Sequence, residues 1–278
     1  MTDLKKILYE LDINLVKVFN ANYQEGNASQ KTDNHNAAGH KSIVMDLLME
    51  EALIDFFRER NFPCRIESEE RGTIEISSNP QYLIITDPLD GSNNFSRKIP
   101  LVCYGVAIAK IKENSELVRY KDIIAASVRS LYSNEFFFAL KDEIPTRNNL
   151  PIEPSKIIEL NKAIISLDID HLPKNQIFSI EKLWEIIKKA KGTRRFGANL
   201  LDIVYVGAGM LEAMIDIRGT LSAVHVPGLF ISEQAGAKIY SLQNNEFNPE
   251  LKANKKMSFI LTNNQAILEQ IIEKIKEK

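Results

Sequence analysis

Apolar residues recur at helical spacing in two stretches near the start of the chain. One stretch, at the N-terminus, places Leu4, Leu8 and Leu11 on one side, and the other runs from about Ile43 to Arg60. Residues three or four positions apart share one face of an α-helix, so both patterns predict amphipathic helices. The stretch between them, residues 24–41, is polar and rich in small residues, which predicts a surface loop.

Short apolar runs then follow one another closely between residues 64 and 140. They are rich in β-branched and aromatic residues, which favour strands. The runs are CRIES, QYLIITD, LVCYGVAIAKI, IIAASVRSLYS and NEFFFAL. Their tight spacing predicts consecutive strands of an antiparallel sheet.

After residue 150 the predicted strands and helices alternate. Strands are predicted at 163–169 and 211–217 and in the runs AKIYSL and SFILTN, with a short strand or turn at 193–197. Helices are predicted at 180–191, 198–209 and 227–236 and in the C-terminal LEQIIEKIKEK. This change of pattern predicts two α/β halves, residues 1–150 and residues 151–278.

Charge and composition exclude several classes of protein. The 278 residues include 35 Lys and Arg against 37 Asp and Glu, so no positive surplus is available for nucleic acid or an anionic membrane. The longest apolar run, Leu101–Ala109, is far shorter than the roughly 20 residues of a membrane-spanning helix. With two cysteines and no signal-peptide core, the sequence predicts a soluble protein of the reducing cytoplasm.

The string Asp87-Pro-Leu-Asp-Gly-Ser follows directly after the predicted strand YLIIT. Two carboxylates that converge at a strand end repel each other unless a cation joins them, which suggests a metal site at Asp87 and Asp90. Backbone N–H groups of Gly91, Ser92 and Asn93 could hold a phosphate. The same residue types also favour a capped tight turn, which is the structural alternative.

The positions of three further acidic residues indicate whether they belong to this metal site. Glu69 ends the strand before the one that carries Asp87, so adjacent strands would bring it beside Asp87 and Asp90. Such an oxygen-rich set suits Mg²⁺. Asp46 and Glu50 lie four apart on one helical face, and on their own they predict a solvated surface.

Together these motifs resemble the inositol monophosphatase and fructose-1,6-bisphosphatase superfamily of Mg²⁺-dependent phosphatases. The resemblance implies a layered αβαβα sandwich (an α+β or α/β fold) with the active site between the two halves. It covers almost the whole chain and rests on DLLME (46–50), SEE (68–70), DPLDGSNNF (87–95), residues 194–216 and SEQAG (232–236).

The resemblance also implies roles for individual residues. A first metal would be held by Glu69, Asp87 and the Leu89 carbonyl, and a second by Asp87 and Asp90. The water that attacks the phosphate would be activated by Asp46 with Ser92 and oriented by Glu70. The phosphate would be bound by Gly91, Ser92 and Asn93. The substrate hydroxyls would be contacted by Asp216, with Ala198 on the same face of the sugar pocket. Arg195 is either a ligand for a second phosphate or a surface arginine.

The sequence departs from the family at one further metal-binding position. The family carries an Asp at a helix start, whereas here one alignment places Val224 there and another places His225. His225 could ligate a borderline metal such as Mn²⁺ or Zn²⁺, act as a general acid, or be a structural histidine. Alternatively the second metal binds loosely, or activity is largely lost.

The resulting hypothesis is a Mg²⁺-dependent phosphatase, with Mn²⁺ as a second candidate metal. It would hydrolyse small sugar or cyclitol phosphate monoesters, inositol-1-phosphate first and fructose-1,6-bisphosphate next, by metal-activated water. Two alternatives stay open: a 3′-phosphoadenosine-5′-phosphate phosphatase, and a phosphatase-like binding protein with weakened or lost catalysis. The resemblance implies a homodimer, and no nucleic-acid or membrane partner is expected.

Overall fold

The described part of this computed structural model comprises residues 3–36, 41–112, 117–170, 180–243 and 246–276. The helices in these ranges are α1 (Leu4–Asn22), α2 (Val44–Glu59), α3 (Ser92–Ser96), α4 (Ile180–Lys189), α5 (Asn199–Gly207), α6 (Val226–Gln234) and α7 (Gln265–Lys276). The strands are β1 (Lys31–His35), β2 (Lys41–Ile43), β3 (Cys64–Ser68), β4 (Gly72–Glu75), β5 (Tyr82–Asp90), β6 (Cys103–Lys110), β7 (Ile123–Ser130), β8 (Glu135–Leu140), β9 (Thr146–Arg147), β10 (Leu150–Pro151), β11 (Ile164–Asp168), β12 (Gly192–Arg194), β13 (Ala213–Ser222), β14 (Lys238–Ser241) and β15 (Lys256–Thr262).

Two large sheets form the centre of the fold within these ranges. The first has eight strands in the order β10-β9-β8-β7-β6-β5-β3-β4, and the second has five in the order β12-β11-β13-β15-β14. In the second sheet β11 runs parallel to both β12 and β13, and the remaining pairs are antiparallel.

One pair of the first sheet contradicts the predicted all-antiparallel arrangement. β3 and β5 are parallel, with Cys64 opposite Tyr82 and Ser68 opposite Thr86. The reason is the short strand β4, which folds back antiparallel on β3. It returns the chain to the end of the sheet at which β3 begins, so β5 begins at that same end. Both β3 and β5 therefore end at the same edge, which places the residue after β3 beside the last residues of β5.

Helices cover and separate the two sheets to give five layers. Residues of α1 and α2 share one buried cluster with β3, β5 and β6 on the outer face of the first sheet. Residues of α5 and α6 share another with strands of both sheets. A third cluster joins α4 and α7 to the far face of the second sheet. The predicted αβαβα sandwich is confirmed, whereas the division into domains at residue 150 stays a prediction.

The N-terminal helix follows its apolar pattern. Leu8, Leu11 and Leu15 of α1 are fully buried, and the Asp3 side chain accepts a hydrogen bond from the backbone N–H of Lys6 at the helix start. A side-chain acceptor at this position satisfies one of the free N–H groups of the first turn. Sequence periodicity was sufficient here because the helix buries a single face.

The predicted surface loop at 24–41 is wrong at residues 31–35 and 41, which form strands, whereas residues 24–30 are turns and irregular structure as predicted. β1 pairs antiparallel with β2, and Lys31 lies opposite Ile43. The strand escaped detection because its residues are mostly exposed, so they show no apolar alternation. Residues 37–40 of the predicted loop lie outside the described residues.

The middle helices are buried on more than one face. α5 carries buried Leu200, Ile203 and Val204, which fits a helix that packs between two sheets. Gly105 of β6 permits this contact, because a Cβ there would lie only 2.6 Å from Leu200 Cδ1. Among the described residues, none of the helices is both long and apolar enough to cross a membrane.

Candidate active site

The parallel pair β3 and β5 brings the predicted metal ligands to one sheet edge. The backbone N–H of Glu69 donates to the Thr86 carbonyl at 3.2 Å, which extends the ladder by one residue beyond β3. Donor atoms of Glu69, Asp87 and His225 all lie within 4.8 Å of one another. The structure thus gathers residues that are more than 150 positions apart in the chain.

His225 lies beside Asp87 and Asp90, where the family would place a further metal-binding Asp. It ends the 3₁₀-helical turn Ala223–His225, and its Nε2 lies 3.4 Å from Asp87 Oδ2 and 3.9 Å from Asp90 Oδ1. Val224 instead is fully buried in the core between the sheets. Of the two alignments, the structure therefore favours the one that puts His225 at the metal-binding position.

Each of the two aspartates is held by one oxygen and leaves the other facing His225. Asp87 Oδ1 accepts from the backbone N–H of Leu89 at 3.0 Å, and Asp90 Oδ2 accepts from that of Leu200 at 2.6 Å. The Leu200 donor lies in the first turn of α5, where the helix dipole favours negative charge. Both carboxylates are therefore fixed in orientation before any ligand binds.

Ser92 and Asp46 form a hydrogen-bonded pair next to these carboxylates. The Ser92 hydroxyl lies 2.8 Å from Asp46 Oδ1 and 3.1 Å from the Leu89 carbonyl, and Asp46 Oδ2 accepts from the backbone N–H of Ile43 at 2.8 Å. Gly91 turns the chain from β5 into α3 with φ of 95°, a conformation that favours glycine. A Cβ at Gly91 would also lie 2.8 Å from the Leu101 carbonyl oxygen.

The acidic face of α2 is buried, so the predicted solvated surface at Asp46 and Glu50 is wrong. Glu50 is fully buried and accepts from the backbone N–H of Arg71 at 3.0 Å, while the Arg71 guanidinium lies 2.9 Å away. Glu70 accepts a hydrogen bond from the Ser42 hydroxyl, and the Asn36 amide lies 3.5 Å from Glu69. Sequence reasoning missed Ser42 and Asn36, since neither lies in a recognisable motif.

The buried acids of this site are poorly compensated. Burial raises the pKa of Asp46 to about 7 and the pKa of Glu70 to about 8. Burial, with the nearby charge of Glu69, raises the pKa of Asp87 well above its ordinary value. In the described residues, the ion pairs of Asp87 and Asp90 involve His225 and neither lysine nor arginine. A bound cation would supply the missing charge, so the donor set fits a divalent metal.

Arginines neutralise a second group of buried acids, in which Asp168 ends β11, Asp216 lies opposite it within β13, and Asp202 lies on α5. Arg195 lies 2.8 Å from Asp168 and 2.7 Å from Asp202. Arg218 lies 2.6 Å from Asp216 and 2.5 Å from Asp168. Burial raises the pKa of Asp202 to about 6 despite the charge of Arg195.

The structure places the three predicted substrate residues of the second half in or beside this group. Asp216 is fully buried and held by Arg218, Arg195 is three-quarters buried, and Ala198 is buried just before α5. Arg194, the residue before Arg195, is exposed. Sequence reasoning missed Arg218 and Asp168, whose pairing joins strands almost fifty residues apart.

The fold and the site define a metal-dependent phosphatase of the layered sugar-phosphatase type. A solved protein from Pyrococcus horikoshii, described as similar to inositol-1 monophosphatase, matches with a TM-score of 0.79 at 27% identity over 98% of this chain and 99% of its own. The suhB protein of Bartonella henselae matches with a TM-score of 0.82 at 19% identity, which shows the fold alone.

The chain belongs to the inositol monophosphatase family, which it matches over residues 1–278. The fructose-1,6-bisphosphatase/inositol-1-monophosphatase of Methanocaldococcus jannaschii is 26% identical over 242 residues, 85% of each chain. The protein of the same description from Thermococcus kodakarensis is 27% identical over 248 residues, 87% of this chain and 86% of its own. The predicted family and enzyme class are confirmed.

Proposed function

We propose that this chain hydrolyses phosphate monoesters of small sugars or cyclitols, with inositol-1-phosphate and fructose-1,6-bisphosphate as the first candidate substrates. The observation that carries the proposal is the Ser92–Asp46 pair, 2.8 Å apart, beside the carboxylates of β5. The names of the archaeal relatives support the same substrates.

The metal would be Mg²⁺ or Mn²⁺, held by Glu69, Asp87, Asp90 and the Leu89 carbonyl. These groups supply hard oxygen donors at one sheet edge, and both aspartates are already oriented by backbone N–H groups. When bound, the metal supplies positive charge that activates water and stabilises the leaving oxygen. The buried, uncompensated carboxylates support this assignment.

Asp46 and Ser92 would act on the proton of the attacking water. The Ser92 hydroxyl donates its hydrogen to Asp46, so its oxygen is free to accept a hydrogen bond from water. Asp46, whose pKa is raised to about 7 by burial, is suited to take a proton near neutral pH. Glu70, fixed by the Ser42 hydroxyl, would orient the same water.

The turn after β5 would bind the phosphate. The N–H groups of Gly91, Ser92 and Asn93 lie at the start of α3, where backbone donors have no partner within the helix. The positive φ of Gly91 sets the direction in which the chain turns from β5 into α3. Phosphate oxygens would therefore meet backbone donors on one side and the metal on the other.

The second half of the chain would border the organic part of the substrate. Ala198 and Arg195 flank the first turn of α5, whose backbone N–H at Leu200 already touches Asp90. Asp216 would act through Arg218, because the Arg218 guanidinium donates hydrogen bonds to both of its oxygens. We propose that this acid–arginine group fixes the shape of the polyol side of the pocket.

A phosphate-release assay with a panel of esters and metals tests the function. Ser92→Ala should lower the rate about 100-fold or more, in the range expected for loss of a proton-transfer partner. Ser96→Ala, at the exposed end of the same helix, is the matched control and should keep full activity. Full activity in excess chelator would exclude a metal mechanism, and no release from any ester would leave a binding protein as the alternative.

Dinucleotide phosphates belong in the same panel. The bifunctional NADP phosphatase/NAD kinase of Methanocaldococcus jannaschii is 24% identical over 251 residues, which is 82% of this chain and 43% of that protein. If NADP or 3′-phosphoadenosine-5′-phosphate is hydrolysed faster than inositol-1-phosphate, the preferred substrate is a nucleotide.

We further propose a cytoplasmic homodimer. The assembly rests on the family resemblance, and exposed Ile144 and Leu150 near the edge strand β10 offer apolar surface for a second copy. Two free, buried cysteines support a reducing compartment. Light scattering during size-exclusion chromatography tests the dimer, and a monomer mass at micromolar concentration would contradict it.

A further inference from the structure

The hydrogen bond at one ring nitrogen of His225 determines the state of the other. Nδ1 lies 3.1 Å from the backbone carbonyl oxygen of Ser222. A carbonyl oxygen only accepts hydrogen bonds, so Nδ1 must carry the hydrogen. In the neutral ring Nε2 then presents a bare lone pair.

In that neutral form Nε2 faces carboxylate oxygens, which are themselves acceptors. Nε2 lies 3.4 Å from Asp87 Oδ2 and 3.9 Å from Asp90 Oδ1, and a Glu69 oxygen lies in the same small group. His225 is 5% exposed and Asp87 3%, so water screens little of their repulsion. A bare imidazole nitrogen among carboxylate oxygens, with the opposite N–H on a backbone carbonyl, is the usual arrangement of a metal-ligating histidine.

The carbonyl that aims the ring is itself fixed by the first sheet. The Ser222 hydroxyl donates to the Ala253 carbonyl at 2.7 Å, and the Ala253 N–H donates to Glu67 Oε2 at 3.1 Å. Glu67 is buried in β3 and also accepts from Thr73 of β4 at 2.7 Å. This chain of contacts fixes the Ser222 turn, so the ring is oriented before metal binds.

We propose that His225 Nε2 is a metal ligand that makes this site selective for a borderline transition metal, such as Co²⁺ or Zn²⁺, over Mg²⁺. The proposal rests on the metal site of the proposed function and adds an imidazole nitrogen to its oxygens. Imidazole suits transition metals, whereas Mg²⁺ prefers hard oxygen ligands in strict octahedral geometry. His225→Asp would restore a set of oxygen ligands.

The competing arrangement is a doubly protonated ring. An imidazolium at His225 would pair with Asp87 and Asp90 and supply part of the positive charge itself. Metal near Nε2 would then bind weakly, and it would have to displace a proton. The neutral ring predicts that Nε2 binds a transition metal directly, whereas the protonated ring predicts that it does not.

Binding is measured with Co²⁺ by its visible absorption and with Mg²⁺ by competition, on the full chain without substrate. The preference for Co²⁺ over Mg²⁺ should be about 100-fold or more higher in the native protein than in His225→Asp, above the loss typical of an outer-shell change. His225→Gln, which keeps the size and polarity of the side chain, should also lose Co²⁺ affinity. His35→Ala, at the exposed histidine of β1, is the matched control and should leave the preference unchanged.

Three results would overturn the proposal. They are an unchanged metal preference in His225→Asp, Co²⁺ bands that do not shift in His225→Gln, and native protein that does not bind Co²⁺. A crystal soaked in Co²⁺ should show the ion about 2.1 Å from Nε2, as expected for a metal–imidazole bond.

The phosphate-release assay separates this proposal from the proposed function. Selective Co²⁺ binding through His225 with no phosphate release from any ester would support the metal site and contradict the function. Metal-dependent release whose metal preference is unchanged in His225→Asp would support the function and contradict the role of His225.

Discussion

Two groups of buried acids lie in this fold, and their neighbours differ. The first-sheet acid group consists of Glu69, Asp87 and Asp90, at the shared end of β3 and β5. The second-sheet acid group consists of Asp168 at the end of β11, Asp216 opposite it within β13, and Asp202 on α5. Both contain aspartates that are almost inaccessible to water.

Arginines neutralise the second-sheet acid group, whereas in the part of the chain that the structure describes they form no ion pair with Asp87 or Asp90. Arg195 and Arg218 together contact all three members of the second-sheet acid group at 2.5–2.8 Å. Among the described residues, His225 is the only basic side chain within ion-pair distance of Asp87 and Asp90. A buried charge is tolerated when it is paired, so the second-sheet acid group is stable as it stands.

These different neighbours determine which carboxylates are available for a ligand. In the second-sheet acid group the carboxylate oxygens are occupied by guanidinium, serine and backbone partners. In the first-sheet acid group one oxygen of each aspartate faces an imidazole nitrogen, and the pKa of Asp87 is raised by burial and by the charge of Glu69. The unpaired group is the one that a metal would stabilise.

The largest expected effect comes from removing one charge of the first-sheet acid group. Asp87→Asn should lower phosphate release by more than the roughly 100-fold that loss of an outer-shell partner costs. Without metal the same variant should be at least as stable as the native protein, because a buried uncompensated charge is gone. The readouts are phosphate release and urea unfolding in chelator.

Asp168→Asn is the matched substitution in the second-sheet acid group, and it should give the reverse pattern. Metal affinity should be retained, while stability falls because two arginines lose a shared partner. If both variants lost metal affinity equally, the distinction between the two groups would be wrong.

An intermediate effect is expected from Asp202→Asn. It leaves Arg195 with Asp168 and the exposed Asp170, and it removes the charged acceptor of the Ser166 hydroxyl. Breaking a buried pair costs about 3–5 kcal/mol, and because Arg195 is partly exposed we expect about 2 kcal/mol in the free energy of unfolding.

Arg194→Ala is the control for this stability measurement. The side chain is exposed next to Arg195, so its removal should change the free energy of unfolding by at most about 0.5 kcal/mol. Equal effects of Asp202→Asn and Arg194→Ala on the urea midpoint would show that the pairing contributes nothing.

An effect similar in size to that of Asp202→Asn is expected in the pH dependence of the metal-free protein. Burial raises the pKa of Asp46 to about 7 and of Glu70 to about 8, so the folded state binds protons more tightly than the unfolded state. Stability in chelator should therefore rise as pH falls from about 8 to about 5, by on the order of 2 kcal/mol after screening is allowed for.

Saturating metal should reverse this trend, because metal binding requires deprotonated carboxylates and is therefore stronger at higher pH. Urea midpoints at several pH values give both slopes, and Asp46→Asn should flatten the slope in chelator. A metal-free protein whose stability rises steadily from pH 5 to pH 8 would contradict the raised pKa values.

Local patterns predicted much of this molecule, and long-range pairings limited the rest. The helix α1 and the string Asp87–Ser92 were readable because their signals lie within a few residues. The parallel pairing of β3 with β5 and the contact of Arg218 with Asp168 depend on where distant segments meet. The sequence alone did not decide whether Val224 or His225 takes the metal-binding position. A one-residue shift in the alignment changes which side chain faces the carboxylates.

The most direct test of the account is the position of Mn²⁺ in a crystal of the native protein, located by anomalous scattering. We expect a peak within coordination distance of Glu69, Asp87 and Asp90. No peak is expected at the arginine-paired group of Asp168, Asp202 and Asp216. A peak at that second group, or none at the first under saturating Mn²⁺, would contradict the claim that the unpaired acids form the metal site.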